Sequence, residues 1–223
     1  MRTGLQSPPV LSWRDFQPLL EETVRKRSFQ RKAFLCRAGA EATELYLVEE
    51  GRVHLFTRSS QGRTLTLNIV EPGDFFGASA LSSQPCHKGW AQALTDGRLY
   101  AIPRRHLGML LRRKPGLAAL MIENLGKQIR KAERRLGDLA FKSVPQRLAA
   151  LLLDMLEPLT ARGQGPAYLP HRYTHQQMAY MVNSQRETVT RAFGRFRDDR
   201  LLDFDQRRIV LLDIQRLREI ALR

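Results

Sequence analysis

Cysteine is scarce: Cys36 and Cys86 are the only two among 223 residues. That falls far short of a disulfide scaffold or a four-thiolate iron–sulfur cluster, and it suits a reducing compartment. No apolar run approaches the length of a membrane span. The opening Met1-Arg-Thr-Gly-Leu-Gln-Ser-Pro-Pro-Val10 has no signal-peptide apolar core. A soluble, cytoplasmic protein is expected. Gly-rich phosphate loops, paired catalytic carboxylates and nucleophile elbows are missing, so the chain does not read as an enzyme. Metal chemistry is not expected either. His171 and His175 are four apart, but Pro170 precedes them and no thiolate or third histidine lies near, so a surface or phosphate-contacting role fits better. Cys86-His87 is a lone pair. Repeats and low-complexity tracts are absent.

Acidic residues are few, 22 against 37 basic ones, for a net charge of +15. Such a balance favours polyanionic partners, nucleic acid first and an anionic membrane surface second. The excess is uneven. Arg104 to Ala140 carries ten basic and three acidic side chains, against thirteen and ten before it and fourteen and nine after it.

The texture changes twice along the chain. From Ser28 to Pro103, β-rich runs alternate with glycines: Leu45-Tyr-Leu-Val48, Arg52–Phe56, Thr64–Val70 and Leu99–Ile102, punctuated by Gly39, Gly51, Gly62, Gly73 and Gly97. This predicts a compact β-barrel or roll of short antiparallel strands, with a helical preface around Trp13 to Arg27. After Pro103 the pattern is helical. From Pro115 to about Phe141, Ala118, Ile122, Leu125, Ile129, Ala132, Leu136 and Leu139 alternate steps of four and three. That register predicts a two-stranded coiled-coil seam rather than one helix packed on its own core. Lys127, Arg130, Lys131, Arg134 and Arg135 lie off the seam, on a solvated or ligand-facing flank. The division is therefore 1–114, 115–141 and 142–223, with Pro145 in the first turn of a core-buried helix after the break at Lys142–Pro145.

His175-Gln-Gln-Met-Ala-Tyr-Met-Val-Asn-Ser-Gln-Arg-Glu-Thr-Val-Thr-Arg-Ala192 reads as two short helices joined by a tight turn. Met178, Ala179, Val182, Val189 and Ala192 supply the contacts between them, and Asn183 tolerates the left-handed backbone of the reversal. Arg186 and Arg191 suit forked hydrogen bonds to guanine edges, and Glu187 suits accepting one from cytosine. The pattern is a helix-turn-helix aimed at a DNA major groove. Leu201–Phe204 and Arg208–Leu212 flank Asp205-Gln-Arg207 as a hairpin, which makes the reader a winged helix. Asp213 then caps a last amphipathic helix. The fold class is α+β.

A cyclic-nucleotide-binding-like β-roll, a long dimerisation helix and a C-terminal winged helix, in that order, resemble the CRP/FNR superfamily of bacterial transcription regulators. The likeness spans nearly the whole chain. It is most specific in Gln185-Arg-Glu-Thr-Val-Thr-Arg191, similar to the family's recognition-helix motif. Pro72-Gly-Asp-Phe-Phe-Gly77 resembles the turn into the effector pocket, and Leu139–Arg147 the hinge. The resemblance implies a homodimer on a pseudo-palindromic double-stranded operator, with Arg186, Glu187 and Arg191 reading bases. Thr174, Ser184, Thr188 and Arg195, joined by His175, would hold phosphates. Ile122, Leu125, Ile129, Ala132, Leu136 and Leu139 would form the dimer seam, and RNA polymerase is a partner by the same resemblance.

The effector turn departs from the family's cyclic-AMP branch. Ala78 stands where that branch has Glu, His87-Lys-Gly89 falls around its Arg-Ser pair, and Ala132-Glu133 occupies its Thr-Ser positions. Three altered sets of contacts argue against cyclic AMP. Amides at Gly77, Ala78 and Ser79 could form an anion nest, with Lys88 or His87 neutralising the ligand. The turn and Glu133 also look like the family's 2-oxoglutarate-sensing branch. Two readings lead: a small anionic metabolite, or activity with no small molecule; haem or another redox sensor is a further alternative. The alternatives are a cyclic-nucleotide-responsive regulator and a non-specific architectural DNA binder. A cyclic-nucleotide-gated enzyme or channel module has no segment left to hold its activity.

Overall fold

Leu45–Val48 and Leu99–Ile102 are apolar at every position, a pattern that suits a strand covered on both faces. The computed structural model describes residues 12–62, 64–156, 167–169, 172–206 and 208–222. Contacts divide the chain into two units, between Lys131 and Ala132. In the first, the two apolar runs lie in β3 (Glu44–Glu50) and β8 (Gly97–Pro103), paired antiparallel with Leu45 opposite Ile102 and Leu47 opposite Tyr100. β1 (Arg25–Phe29) and β6 (Phe75–Phe76) extend that sheet in the order β1-β8-β3-β6. A second sheet holds β2 (Phe34–Cys36), β4 (Val53–Arg58), β5 (Thr64–Val70) and β7 (Trp90–Ala93), in the order β2-β7-β4-β5.

Period-two alternation splits the first sheet between two cores. Tyr46, Val48, Phe76, Leu99 and Ala101 face Cys36, Val53, Val70, Ala91 and Ala93 inside the roll. Leu45, Leu47, Phe75, Tyr100 and Ile102 face the other way. There they meet α1 (Gln17–Thr23), α2 (Arg104–Arg113) and the start of α3 (Gly116–Phe141), through Leu19, Leu20, Leu110, Leu117, Leu120 and Met121.

The expected helical preface is shorter than Trp13 to Arg27. A 3-10 turn at Trp13–Phe16 and α1 end at Thr23, and Arg25–Phe29 is a strand because its backbone pairs with β8, Arg25 opposite Ala101 and Phe29 opposite Gly97. Basic residues with little strand propensity were overridden by a neighbouring edge. α2 is a separate helix, broken from α3 before Pro115, which disfavours helical backbone at Lys114. α3 itself begins and ends where the four-three pattern does. No described helix is long and apolar enough to cross a membrane.

In the second unit, α4 (Val144–Asp154) opens on a capping box of Ser143 with Gln146, and Pro145 sits in its first turn. β9 (Ala167–Tyr168), α5 (His175–Met181), α6 (Arg186–Asp198), β10 (Leu202–Asp205), β11 (Arg208–Leu211) and α7 (Ile214–Leu222) follow. The hairpin β10–β11 is the expected wing. β9 adds a third strand, Val210 opposite Tyr168, too short to register as a sequence pattern. Asp213 Oδ1 accepts from the Arg216 amide at 2.8 Å, capping α7. His171 and the Gly163–Pro166 loop lie outside the described residues.

Candidate nucleic-acid interface

Local chemistry builds the helix-turn-helix. Thr174 caps α5: its Oγ1 accepts from the Gln177 amide at 3.1 Å, and its own amide donates to Gln177 Oε1 at 2.9 Å. Asn183 takes φ +49° in the turn, and the Ser184 amide donates back to the Ala179 carbonyl at 2.9 Å. Met178, Ala179, Val182, Val189 and Ala192, the residues that should lock the pair, are all buried.

On α6 the buried residues Val189, Ala192, Phe193 and Phe196 recur at helical spacing and leave a polar face. Arg186, Glu187, Arg191 and Arg195 are exposed on it, with Thr190 and Arg197. Thr188 and Ser184 are half-buried, and Thr174 is exposed. His175 is placed differently from a free surface histidine. Its Nδ1 lies 2.9 Å from Thr190 Oγ1, and its ring stacks on Phe193 at 4.9 Å, with Phe204 of the wing 6.0 Å away. Burial lowers its pKa first, and the Arg186 charge lowers it further. The residue therefore ties α5, α6 and wing together in its neutral form.

Arg147 escaped the sequence reading of the reader. Its Nε donates to the Val182 carbonyl at 2.9 Å, at the end of α5, and its Nη1 to the Lys142 carbonyl at 2.7 Å, just past α3. One guanidinium thus satisfies the carbonyl ends of two helices. A Pro-Gln-Arg start to α4 signals an arginine but not its partner, which is 35 residues away.

Along α3, Ile122, Ile129 and Leu136, spaced seven apart, are 71%, 59% and 68% exposed. Ala132 is also exposed, and Leu125 and Leu139 are half-buried. An apolar stripe of this kind costs free energy while it faces water.

The glycine turn of the roll is also built as a turn. Gly77 has φ +84°, and a Cβ there would meet the Tyr46 ring at 2.9 Å. Ala78–Leu81 form a 3-10 turn, with the Ala80 amide bonded to the Gly77 carbonyl. Ala78 is exposed and Ser79 half-buried. His87 is buried, and burial lowers its pKa, which favours the neutral ring; Lys88 is exposed. Of the pair, Lys88 is the one placed to carry a positive charge. Glu133 is exposed on α3, in the other unit.

Two family profiles match this chain: a cyclic nucleotide-binding domain over residues 26–114 and a Crp-like helix-turn-helix domain over residues 146–220. The transcriptional regulator SdrP of Thermus thermophilus is 35% identical over 177 residues, 79% of this chain and 83% of that protein. A CRP-like cAMP-activated global transcriptional regulator of Mycobacterium tuberculosis is 25% identical over 198 residues, 89% and 88% of the two chains. The crystal structure of a CRP/FNR-family transcriptional regulator from Thermus thermophilus superposes with a TM-score of 0.69 at 32% identity, covering 89% of this chain and 99% of that one.

Proposed function

The chain belongs to the CRP/FNR superfamily of transcription regulators, and from that premise we propose that it binds a pseudo-palindromic operator as a homodimer. Arg186, Glu187 and Arg191 read base edges from α6. Thr174, Ser184, Thr188 and Arg195 hold phosphates, and His175 joins them through the ring nitrogen not given to Thr190. The observation that carries this reading is the two-sided α6: one face is buried among Val189, Ala192, Phe193 and Phe196, and the other is polar and open. A symmetric pair would set two such helices about 34 Å apart, one duplex turn. The exposed α3 stripe supplies the pairing surface. RNA polymerase is the partner through which operator binding acts, in the cytoplasm.

Regulation by cyclic AMP is not part of the proposal, because Ala78 offers no carboxylate and His87-Lys88-Gly89 no Arg-Ser pair. Either a small anionic metabolite, held by the Gly77–Ser79 amides and Lys88, switches the protein, or none does. A non-specific architectural role is disfavoured by the convergence of Arg186, Glu187 and Arg191 on the exposed side of one helix.

The test is a mobility shift with a duplex selected from a random pool. Arg186→Ala should abolish preference for the selected duplex over random DNA while leaving weak, salt-sensitive binding, since the phosphate contacts survive. Unchanged discrimination would place the reader elsewhere. Cyclic AMP should leave wild-type affinity unaltered.

A further inference from the structure

The turn Pro72–Gly77 ends in β6, an edge strand. Phe76 and Phe75 pair with Tyr46 and Leu47 of β3 on one side, and among the described residues no further strand of that sheet follows on the other. An open edge leaves peptide groups without partners. Two carboxamides from α3 meet those of Phe75. The Phe75 amide donates to Asn124 Oδ1 at 3.1 Å, and Gln128 Nε2 donates to the Phe75 carbonyl at 2.7 Å. Gln128 Nε2 also donates to Asn124 Oδ1 at 2.7 Å, and Asn124 Nδ2 donates to Asp74 Oδ1 at 2.9 Å. Asn124 is 6% exposed. A carboxamide carries both a donor and an acceptor, as a peptide group does, and a spacing of four puts both on one helix face. The pair therefore acts as the missing neighbour strand.

We propose that Asn124 and Gln128 are positioning residues, a built-in clasp fastening the Phe-Phe-Gly turn to the long helix, so that the protein binds its operator without a small molecule. This rests on the DNA-binding reading above. A ligand shifts an equilibrium only as far as it distinguishes two states. Here the turn and its stretch of helix are already joined by one buried and three half-buried hydrogen bonds that need no ligand. Behind the turn, the Tyr46 ring stacks on Phe76 at 4.8 Å, and both are buried beside Cys36. A turn fastened in this way fits a regulator set by its abundance.

The experiment uses the full chain purified without additives and a duplex selected from a random pool, with and without 2-oxoglutarate and cyclic AMP. Operator affinity, random-DNA affinity and hydrogen exchange of the Phe75 amide are measured for wild type, Asn124→Leu and Gln128→Ala. Gln128→Ala keeps a strong helix former and guards against a misfolded Asn124 variant. Wild type should bind tightly with no addition. Each variant should exchange Phe75 faster and bind the operator about tenfold more weakly, the effect of one or two lost hydrogen bonds, with random-DNA affinity unchanged. Wild-type binding that appears only after a metabolite is added would overturn the clasp and leave the DNA-binding reading intact. So would variants whose operator affinity stays at the wild-type level. No selected duplex under any condition would overturn both.

Discussion

At the scale of single residues, local partners were legible and distant ones were not. Thr174 with Gln177, Ser143 with Gln146 and Asp213 with Arg216 lie three apart, so sequence spacing alone poses the cap. Asn183 in the turn is the same kind of case, since its left-handed backbone is a property of the residue. His175 is different, because Thr190, Phe193 and Phe204 reach it only once the helices fold together. Its half-buried ring gives a pH dependence. Burial lowers the folded pKa of His175, and of His87, below the unfolded value of about 6.5. The unfolded chain then binds more protons, so the stabilisation is complete above that pH and is lost as pH falls toward the folded values. The melting temperature should drop on acidification from neutral pH to about 5, and His175→Gln should flatten part of that drop. An equal slope in the variant would remove His175 from the account.

At the scale of elements, periodicity was a sound guide to where helices run and a poor one wherever strand pairing decided. The bounds of α3 follow its four-three register, and α6 shows its buried stripe where expected. β1 is the counter-example: Arg25-Lys-Arg-Ser-Phe29 has no strand signature, and the free edge of β8 made it one. The exposed stripe on α3 carries an element-level prediction. Leu136→Lys, placing a charge where the proposed partner helix packs, should yield a monomer in analytical ultracentrifugation that loses affinity for the palindrome. A monomer that still bound the full site tightly would remove the paired-helix step. The substitution should cost the isolated chain little stability, because Leu136 is 68% exposed.

For the whole molecule, net charge is a poor map of the reader. The densest basic segment is Arg104 to Ala140, which takes in α2 and most of α3, yet the residues proposed to meet DNA lie beyond it. Much of that excess is committed to ion pairs or faces water: Arg113 pairs with Glu22, Lys127 with Glu123 and Arg134 with Asp154, all at exposed positions of little energetic weight. Salt titration separates the two roles. Arg195→Gln should make the logarithmic salt slope of operator binding shallower by about 0.9 per protomer, one phosphate contact each. Arg130→Gln with Lys131→Gln should leave the slope where it was. The opposite result would assign the helix flank to DNA.

Composition and order along the chain settled the architecture by themselves: short glycine-punctuated strands, a heptad helix, a capped helix-turn-helix and a wing. Each is written in a local period or a local cap, and those forces act between residues a few positions apart. Only the folded arrangement revealed the Arg147 bridge, the ring stack at His175 and the Asn124–Gln128 clasp. Apart from Lys142, five residues before Arg147, their partners stand 15 to 53 residues away along the chain. A buried polar group must find a partner, but nothing in its own neighbourhood of sequence says which; that choice is made by the packing that brings a sheet edge against a helix.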